Sequence, residues 1–198
     1  MQLLLRQGYA LPFLFFVPVL IAGFLLPDYS AIAEHGSVMT LSHNAWARNL
    51  VKFGALSSGI SCVLLALGLV LNIGKRVALS AVLMSIFGIG MISNGIWPMG
   101  SPLHGLYGAP IVMMILPFAL AYEVKGMPLP TLFFRLTIVA GLVNFVYSWA
   151  LLVGLDPVEY MGLTQRLASI TMFGWLGYTA YHLNRALRLQ AGSVQPAA

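Results

Sequence analysis

The chain has 198 residues, 60% of them hydrophobic and only 8% charged, with a mean hydropathy of +0.90. A water-soluble domain carries about 25% charged residues, so this composition excludes one and makes lipid the solvent. The net charge of +5 comes from ten Lys and Arg scattered at segment ends, which speaks against a nucleic-acid surface and for membrane orientation.

The first apolar stretch, 10–26, follows Arg6 and reaches about 25 Å at 1.5 Å per residue, enough to span a bilayer, with Pro18 bending it. A rival reading makes it a cleaved leader ending at the A-x-A of Ala31 and Ala33. The next stretch, PDYSAIAEHGSVMTLSHNAWAR, is the longest polar one and leaves room for a short helix on the membrane surface. A second crossing is expected over 50–73. It carries Gly54, Ser58 and Cys62 at every fourth position with Ala55 and Gly59 beside them, small residues that let helices approach closely in lipid. Cys62 is the only cysteine, so no internal disulfide or thiolate metal cluster can form, and it reads as core packing.

Gly74, Lys75 and Arg76 make a basic turn before a third crossing, 77–97, thinned on one side by Gly88, Gly90 and Gly95. The run SNGIWPMGSPLHGLYGAP then joins it to a fourth crossing, 104–122, through a bend with no charged residue; His104 stands at the mouth of that crossing. Glu123, Lys125, Pro128 and Pro130 form another turn. A fifth crossing over 132–155 holds Arg135 one turn inside, where it can snorkel to the interface, and Asn144 at depth. Asp156, Pro157 and Glu159 mark the exit, and Arg166 introduces a sixth crossing, 167–187, followed by a tail at 191–198 expected to be disordered.

The expected fold is thus all-α: a polytopic bundle of six transmembrane helices with both termini on one side. Placing the termini in the cytoplasm puts Arg6, Lys75, Arg76, Lys125, Arg135, Arg185 and Arg188 inside and only Arg48, Lys52 and Arg166 outside, as positive-inside sorting requires. The expected location is the inner (plasma) membrane, as a multi-pass protein. Asp28, Glu34, His35, His43, Arg48, Asn94, His104 and Arg166 then gather at the outer face. Ionisable groups at the edge of hydrocarbon need partners, and Glu34 is the partner expected for Arg166. Trp46, Trp97, Tyr107, Trp149 and Tyr160 fall at the same face as an aromatic belt would, whereas Trp175 lies deeper, in the core.

The order of PDYSAIAEHG, then Asn49 followed by FGALSSGISCVLLALGL, then GIWPMGSPLHG, then GLTQRLASITMFGW resembles the DUF998 family of bacterial and archaeal membrane proteins, a group distantly similar to the Frag1/DRAM/Sfk1 proteins. The resemblance runs from Pro27 to the sixth crossing. It matches Tyr29, Ser30, Glu34 and Gly36 to the family's first outer loop, Trp97, Pro98 and His104 to its Phe-Pro corner and following His, and Gly162, Leu163 and Arg166 to its Gly-Leu and Arg. This chain departs at Trp97, where Phe is usual, at His35, where an apolar residue is usual, and at Gly100 and Ser101. The resemblance implies six helices and no established reaction.

Two functional classes follow. In the first, Glu34, His35, Asn94, His104 and Arg166 bind a lipid or lipid-like small molecule, or simply form a network that ties the outer loops to the bundle. In the second, an enzyme acts on a lipid-linked substrate, with Glu34 or His104 as general acid or base and Arg166 holding an anionic headgroup. Glu34, His35, His43 and His104 lack the helical spacing of paired metal ligands, so no metal site is expected. No cofactor is expected either: His182, near the inner end, has no facing mid-membrane His with which to hold a haem. Transport is disfavoured, because no acidic residue lies at midplane and no inverted repeat is visible. Asn144, the strongest polar group at depth, is expected to hydrogen-bond a neighbouring helix.

Overall fold

The computed structural model describes residues 2–192. Among them every regular element is helical. α1 (Gln2–Arg6) passes through a 3-10 turn, Gln7–Ala10, into α2 (Leu11–Phe24); then come α3 (Ala45–Ile73), α4 (Ala78–Ile96), α5 (Leu116–Glu123), α6 (Thr131–Leu152) and α7 (Met161–Gly192). Four stretches are long and apolar enough to cross a membrane: Gln2–Phe24, Ala45–Ile73, Lys75–Ile96 and Thr131–Leu152. A fifth exists if the 3-10 segment Leu106–Met114 and α5, which meet at 47°, count as one broken span. The chain is therefore a multi-pass membrane protein with four to five candidate spans. α7 is the longest helix at 32 residues, but its Thr, Gly, Tyr and His residues dilute the apolar run. The tail expected over 191–198 falls, from 193 onward, outside the described residues.

Several boundaries differ from the sequence reading, each for a local reason. The first helical stretch starts at Gln2, so Arg6 lies within it rather than ahead of it. Gln7 bridges the 3-10 break, its amide nitrogen donating to the Leu4 and Ser61 carbonyls and its amide oxygen accepting from the Ser61 hydroxyl. α3 begins at Ala45 because the Asn44 side chain caps it, accepting from the Trp46 and Ala47 N–H groups at 3.0 and 3.2 Å. The fourth crossing is no regular helix. Residues 105–108 run through four consecutive positive φ values (75°, 44°, 53° and 85°), a left-handed turn that Gly105 and Gly108 adopt freely and that strains Leu106 and Tyr107. α7 starts at Met161, so Arg166 sits more than a turn inside it instead of introducing it.

Packing follows the small residues. Gly59 of α3 faces Gly88 of α4 so closely that a Cβ on Gly59 would lie 2.6 Å from the Gly88 carbonyl oxygen, and one on Gly88 2.8 Å from that of Gly59. Gly54 lets α3 approach the Leu14 and Phe15 carbonyls, where Pro18 interrupts the hydrogen-bond ladder of α2. The helices close a ring: α2 packs on α3, α3 on α4, α4 on the 106–114 segment and α5, these on α6, α6 on α7, and α7 back on α2. One half of the ring is filled by Leu5, Leu65, Leu69, Met84, Leu120, Phe133 and Leu183, all fully buried. At that end the Glu123 carboxylate accepts from the N–H groups of Leu79 and Ser80 (3.0 and 3.1 Å) and from the Ser80 hydroxyl, capping α4 from across the ring. Trp175 is in the core as expected, donating to the Thr137 hydroxyl at 3.1 Å. Asn144 corrects its expectation. Its amide nitrogen bonds back to the Ala140 carbonyl of its own helix at 2.8 Å, and its buried amide oxygen has no hydrogen-bond partner among the described residues.

Candidate functional site

The other half of the ring is hollow. A cavity of about 610 Å³ lies between the middle of α2, the C-terminal halves of α4 and α6, the N-terminal halves of α3 and α7, and the segment 104–111. That volume lies within the roughly 300–1,000 Å³ typical of small-molecule sites. Its floor is aromatic. Phe15 stacks on Phe173 at 4.1 Å between ring centroids, and Phe16 and Phe87 meet Phe173 at 6.2 and 5.8 Å. Val19, Leu20, Met91, Ile111, Leu151 and Ile170 continue the walls in apolar atoms, and Asn94, His104, Gln165 and Arg166 lie toward the rim. Arg166 and Phe173 are seven residues apart on α7, roughly 10 Å of depth at 1.5 Å per residue.

The rim is built by the loop 25–44 and the bend 97–105. Within the loop, Ser30 and Glu34 close a turn: the Glu34 N–H donates to the Ser30 carbonyl, and the Glu34 carboxylate accepts from the Ser30 N–H, both at 2.9 Å. The loop's 3-10 segment Gly36–Leu41 sinks Met39 and Thr40 against α2 and α3. Its Thr40 hydroxyl accepts from the Met99 N–H at 2.9 Å, which ties the loop to the bend. The bend is stitched to the end of α4 three times: the Ser93 hydroxyl donates to the Leu103 carbonyl, the Asn94 amide oxygen accepts from the Gly105 N–H, and His104 Nδ1 meets the Trp97 carbonyl at 2.9 Å. A carbonyl can only accept, so Nδ1 is the donor, which in a neutral ring leaves the lone pair on Nε2.

On the opposite wall the loop lies against the start of α7. The Leu163 N–H donates to the Ile32 carbonyl at 2.9 Å, the Gln165 amide oxygen accepts from the Gly36 N–H at 2.7 Å, and Arg166 reaches the Glu34 carbonyl at 3.1 Å, the Gly162 carbonyl at 2.7 Å and the Tyr29 hydroxyl. The guanidinium also stands over the Tyr29 ring, 5.5 Å from its centroid. Gly162 is what permits this approach: a Cβ there would lie 2.4 Å from the Glu34 carbonyl oxygen and 2.6 Å from that of Ala31. Burial raises the Tyr29 phenol above its ordinary value near 10, partly offset by the Arg166 hydrogen bond and charge.

The residues singled out from the sequence thus separate into two groups. Asn94, His104 and Arg166 share the cavity wall, whereas Glu34 and His35 lie outside it. Glu34 is the partner of Arg166, but through its main chain: its carboxylate is turned into the Ser30 cap, so the expected ion pair is replaced by a hydrogen bond to a carbonyl. His35 points instead at Asp156 in the α6–α7 connection, Nε2 to carboxylate oxygen 3.7 Å, a contact that becomes an ion pair only with a protonated ring. The other Asp156 oxygen accepts from the Thr164 hydroxyl at 2.7 Å. His43 is exposed, and among the described residues no three His, Cys, Asp or Glu converge on a point where a metal could sit. Gln165 and Asp156 were missed. The polar run Thr164-Gln165-Arg166 interrupting an apolar segment was the signal available for Gln165, and nothing local announces the pairing of Asp156 with His35.

No curated protein and no solved structure matches the chain. A family model described as a protein of unknown function, DUF998, matches residues 10–182, a span that takes in every wall of the cavity. The chain therefore belongs to the DUF998 family.

Proposed function

We propose that this protein binds an amphiphilic, lipid-like molecule in the cavity, with the polar end at the rim and the apolar end on the phenyl floor. The observation that carries this reading is the division within one cavity: Phe15, Phe16, Phe87 and Phe173 cluster at its floor, Asn94, His104, Gln165 and Arg166 stand at its edge, and the walls between add only the hydroxyls of Tyr147, Ser148 and Ser169 to aliphatic side chains. That gradient matches a molecule with one wet end and one oily end, and lipid supplies such molecules from the side. The cavity also supports six crossings, because consecutive elements contribute alternate halves to it, the first span and α4 their C-terminal halves, α3 and α7 their N-terminal halves. The excess of Lys and Arg at the end opposite the rim favours an outward-facing rim, with both termini in the cytoplasm and the protein in the inner membrane. The exposed Trp46, Trp97, Tyr107, Trp149 and Tyr160 then stand at the outer interface.

Native mass spectrometry of the protein released from its membrane tests the reading. A lipid-sized adduct that disappears in Ser169→Phe, where a phenyl group enters the cavity wall, is the expected result; an adduct that survives the substitution refutes it.

One observation favours an enzyme as a second reading. The Trp97 carbonyl holds the His104 ring so that its Nε2 lone pair is available on the cavity wall, the arrangement of an oriented general base. Glu34 drops out of that role because its carboxylate is spent on the Ser30 turn. Turnover of a bound lipid that is lost in His104→Gln while the adduct is retained would establish the enzymatic reading, and retained turnover would dismiss His104 as its base.

A further inference from the structure

Two further observations define which amphiphile the cavity takes, granting the reading above that it takes one. The first concerns charge. A guanidinium carries five N–H donors. In Arg166 the two on Nη1 go to the Glu34 and Gly162 carbonyls and one on Nη2 to the Tyr29 hydroxyl, so the Nε–H and the second Nη2–H have no acceptor among the described residues. All three partners are neutral, and the carboxylates of Glu34 and Asp156 are engaged with Ser30 and with Thr164 and His35. A half-buried cation thus stands on the wall of an apolar cavity with no counter-charge within 4 Å among the described residues. Charge in such surroundings is costly until an anion meets it, and the guanidinium fork matches a carboxylate or phosphate.

The second concerns size. Even at about 30 Å³ for each water-sized group, 610 Å³ has room for at least about twenty heavy atoms, the size of one medium-length chain with a small head.

We propose that the cavity is a site for a single-chain anionic amphiphile, a carboxylate or phosphate monoester on one long chain. The head takes the two spare donors of Arg166, with the Gln165 amide nitrogen beside it, and the chain packs on Phe15, Phe87 and Phe173. His104 Nε2 accepts from a hydroxyl of the head where the head has one.

A matched series tests this in nanodiscs of a neutral phosphatidylcholine, with binding to empty discs subtracted: tetradecanoate, tetradecyl phosphate, tetradecanol and two-chain dimyristoyl phosphatidate. The expected result is saturable binding, one per protein, of tetradecanoate or tetradecyl phosphate at least tenfold tighter than tetradecanol, with no displacement by dimyristoyl phosphatidate. Whichever anion binds tighter identifies the head. Arg166→Gln removes the preference over tetradecanol. Because Arg166 also holds the loop, Gln165→Glu is the second variant: it keeps an acceptor for the Gly36 N–H and sets a carboxylate beside the guanidinium, and it weakens both anions at least tenfold at unchanged melting temperature. Tetradecanol binding as tightly as the anions, displacement by dimyristoyl phosphatidate, or indifference of both variants overturns the proposal. If binding then still vanishes in Ser169→Phe, the cavity reading stands and only the ligand class fails. Absence of saturable binding by every member, or binding untouched in Ser169→Phe, removes the cavity reading as well.

Discussion

Adding a single methyl group at Gly162 tests how the rim is held. The Cβ of Gly162→Ala would sit 2.4 Å from the Glu34 carbonyl oxygen, 2.6 Å from that of Ala31 and 2.9 Å from Arg166 Nη1. Two of these neighbours are main chain, so no rotamer change relieves the contact, and overpacking of this kind costs about 1–3 kcal/mol. If the loop lifts instead, the bonds from Leu163 to Ile32 and from Arg166 to Glu34 go with it, at about 1 kcal/mol for the neutral one and about 1.5–3 for the charged one. Gly174 is the control on the same helix: nothing lies within 4 Å of its Cβ position, and alanine there gains about 0.8–1 kcal/mol of helix propensity. The two variants should therefore separate by about 3 kcal/mol in equilibrium unfolding in detergent, with Gly162→Ala the weaker and its 25–44 loop cut faster by protease. Equal stability, or a more stable Gly162→Ala, would show that the loop does not rest on α7.

At the opposite end, Glu123→Ala strips the start of α4 of its carboxylate cap and should lower stability by about 2–3 kcal/mol, with Glu123→Gln recovering part of it in the same unfolding measurement. Asn144→Leu should be neutral or stabilising despite its burial, since the amide oxygen it removes has no partner among the described residues; a loss above about 1 kcal/mol would mean that a partner exists. Tyr29 gives an alkaline signature. Its folded pKa is raised above the unfolded value, so its contribution is complete below pH 10 and is lost as pH climbs through the higher folded value. Tyr29→Phe should flatten the alkaline limb of the stability curve, and spectrophotometric titration should show one fewer late-ionising phenol in the variant than in the wild type.

Much of the architecture was legible because lipid leaves few choices: apolar runs of about 20 residues must be helices, and Gly59 and Gly88 could be read as packing positions before their partners were known. The broken fourth span was not, because a run such as LYGAPIVMMILPFALAY reads as one helix by hydropathy, and the left-handed turn at 105–108 is held by the hydrogen bonds that Ser93 makes to Leu103, just before it, and Asn94 to Gly105. At the site, His104, Asn94 and Arg166 could be gathered by counting crossings. Their partners could not, because charge arithmetic looks for a carboxylate and the structure answers Arg166 with two carbonyls and a phenol. The His35–Asp156 pair joins segments 121 residues apart, and no local pattern in either announces the other.

The stacked phenyl floor bears on traffic. Beneath Phe15 and Phe173 the core is packed with Leu65, Leu69, Met84 and Leu183, all fully buried, which closes the hollow on that side. In this shape the hollow is a cup: a molecule held in it would leave through the mouth or sideways between helices, and not through the phenyl floor.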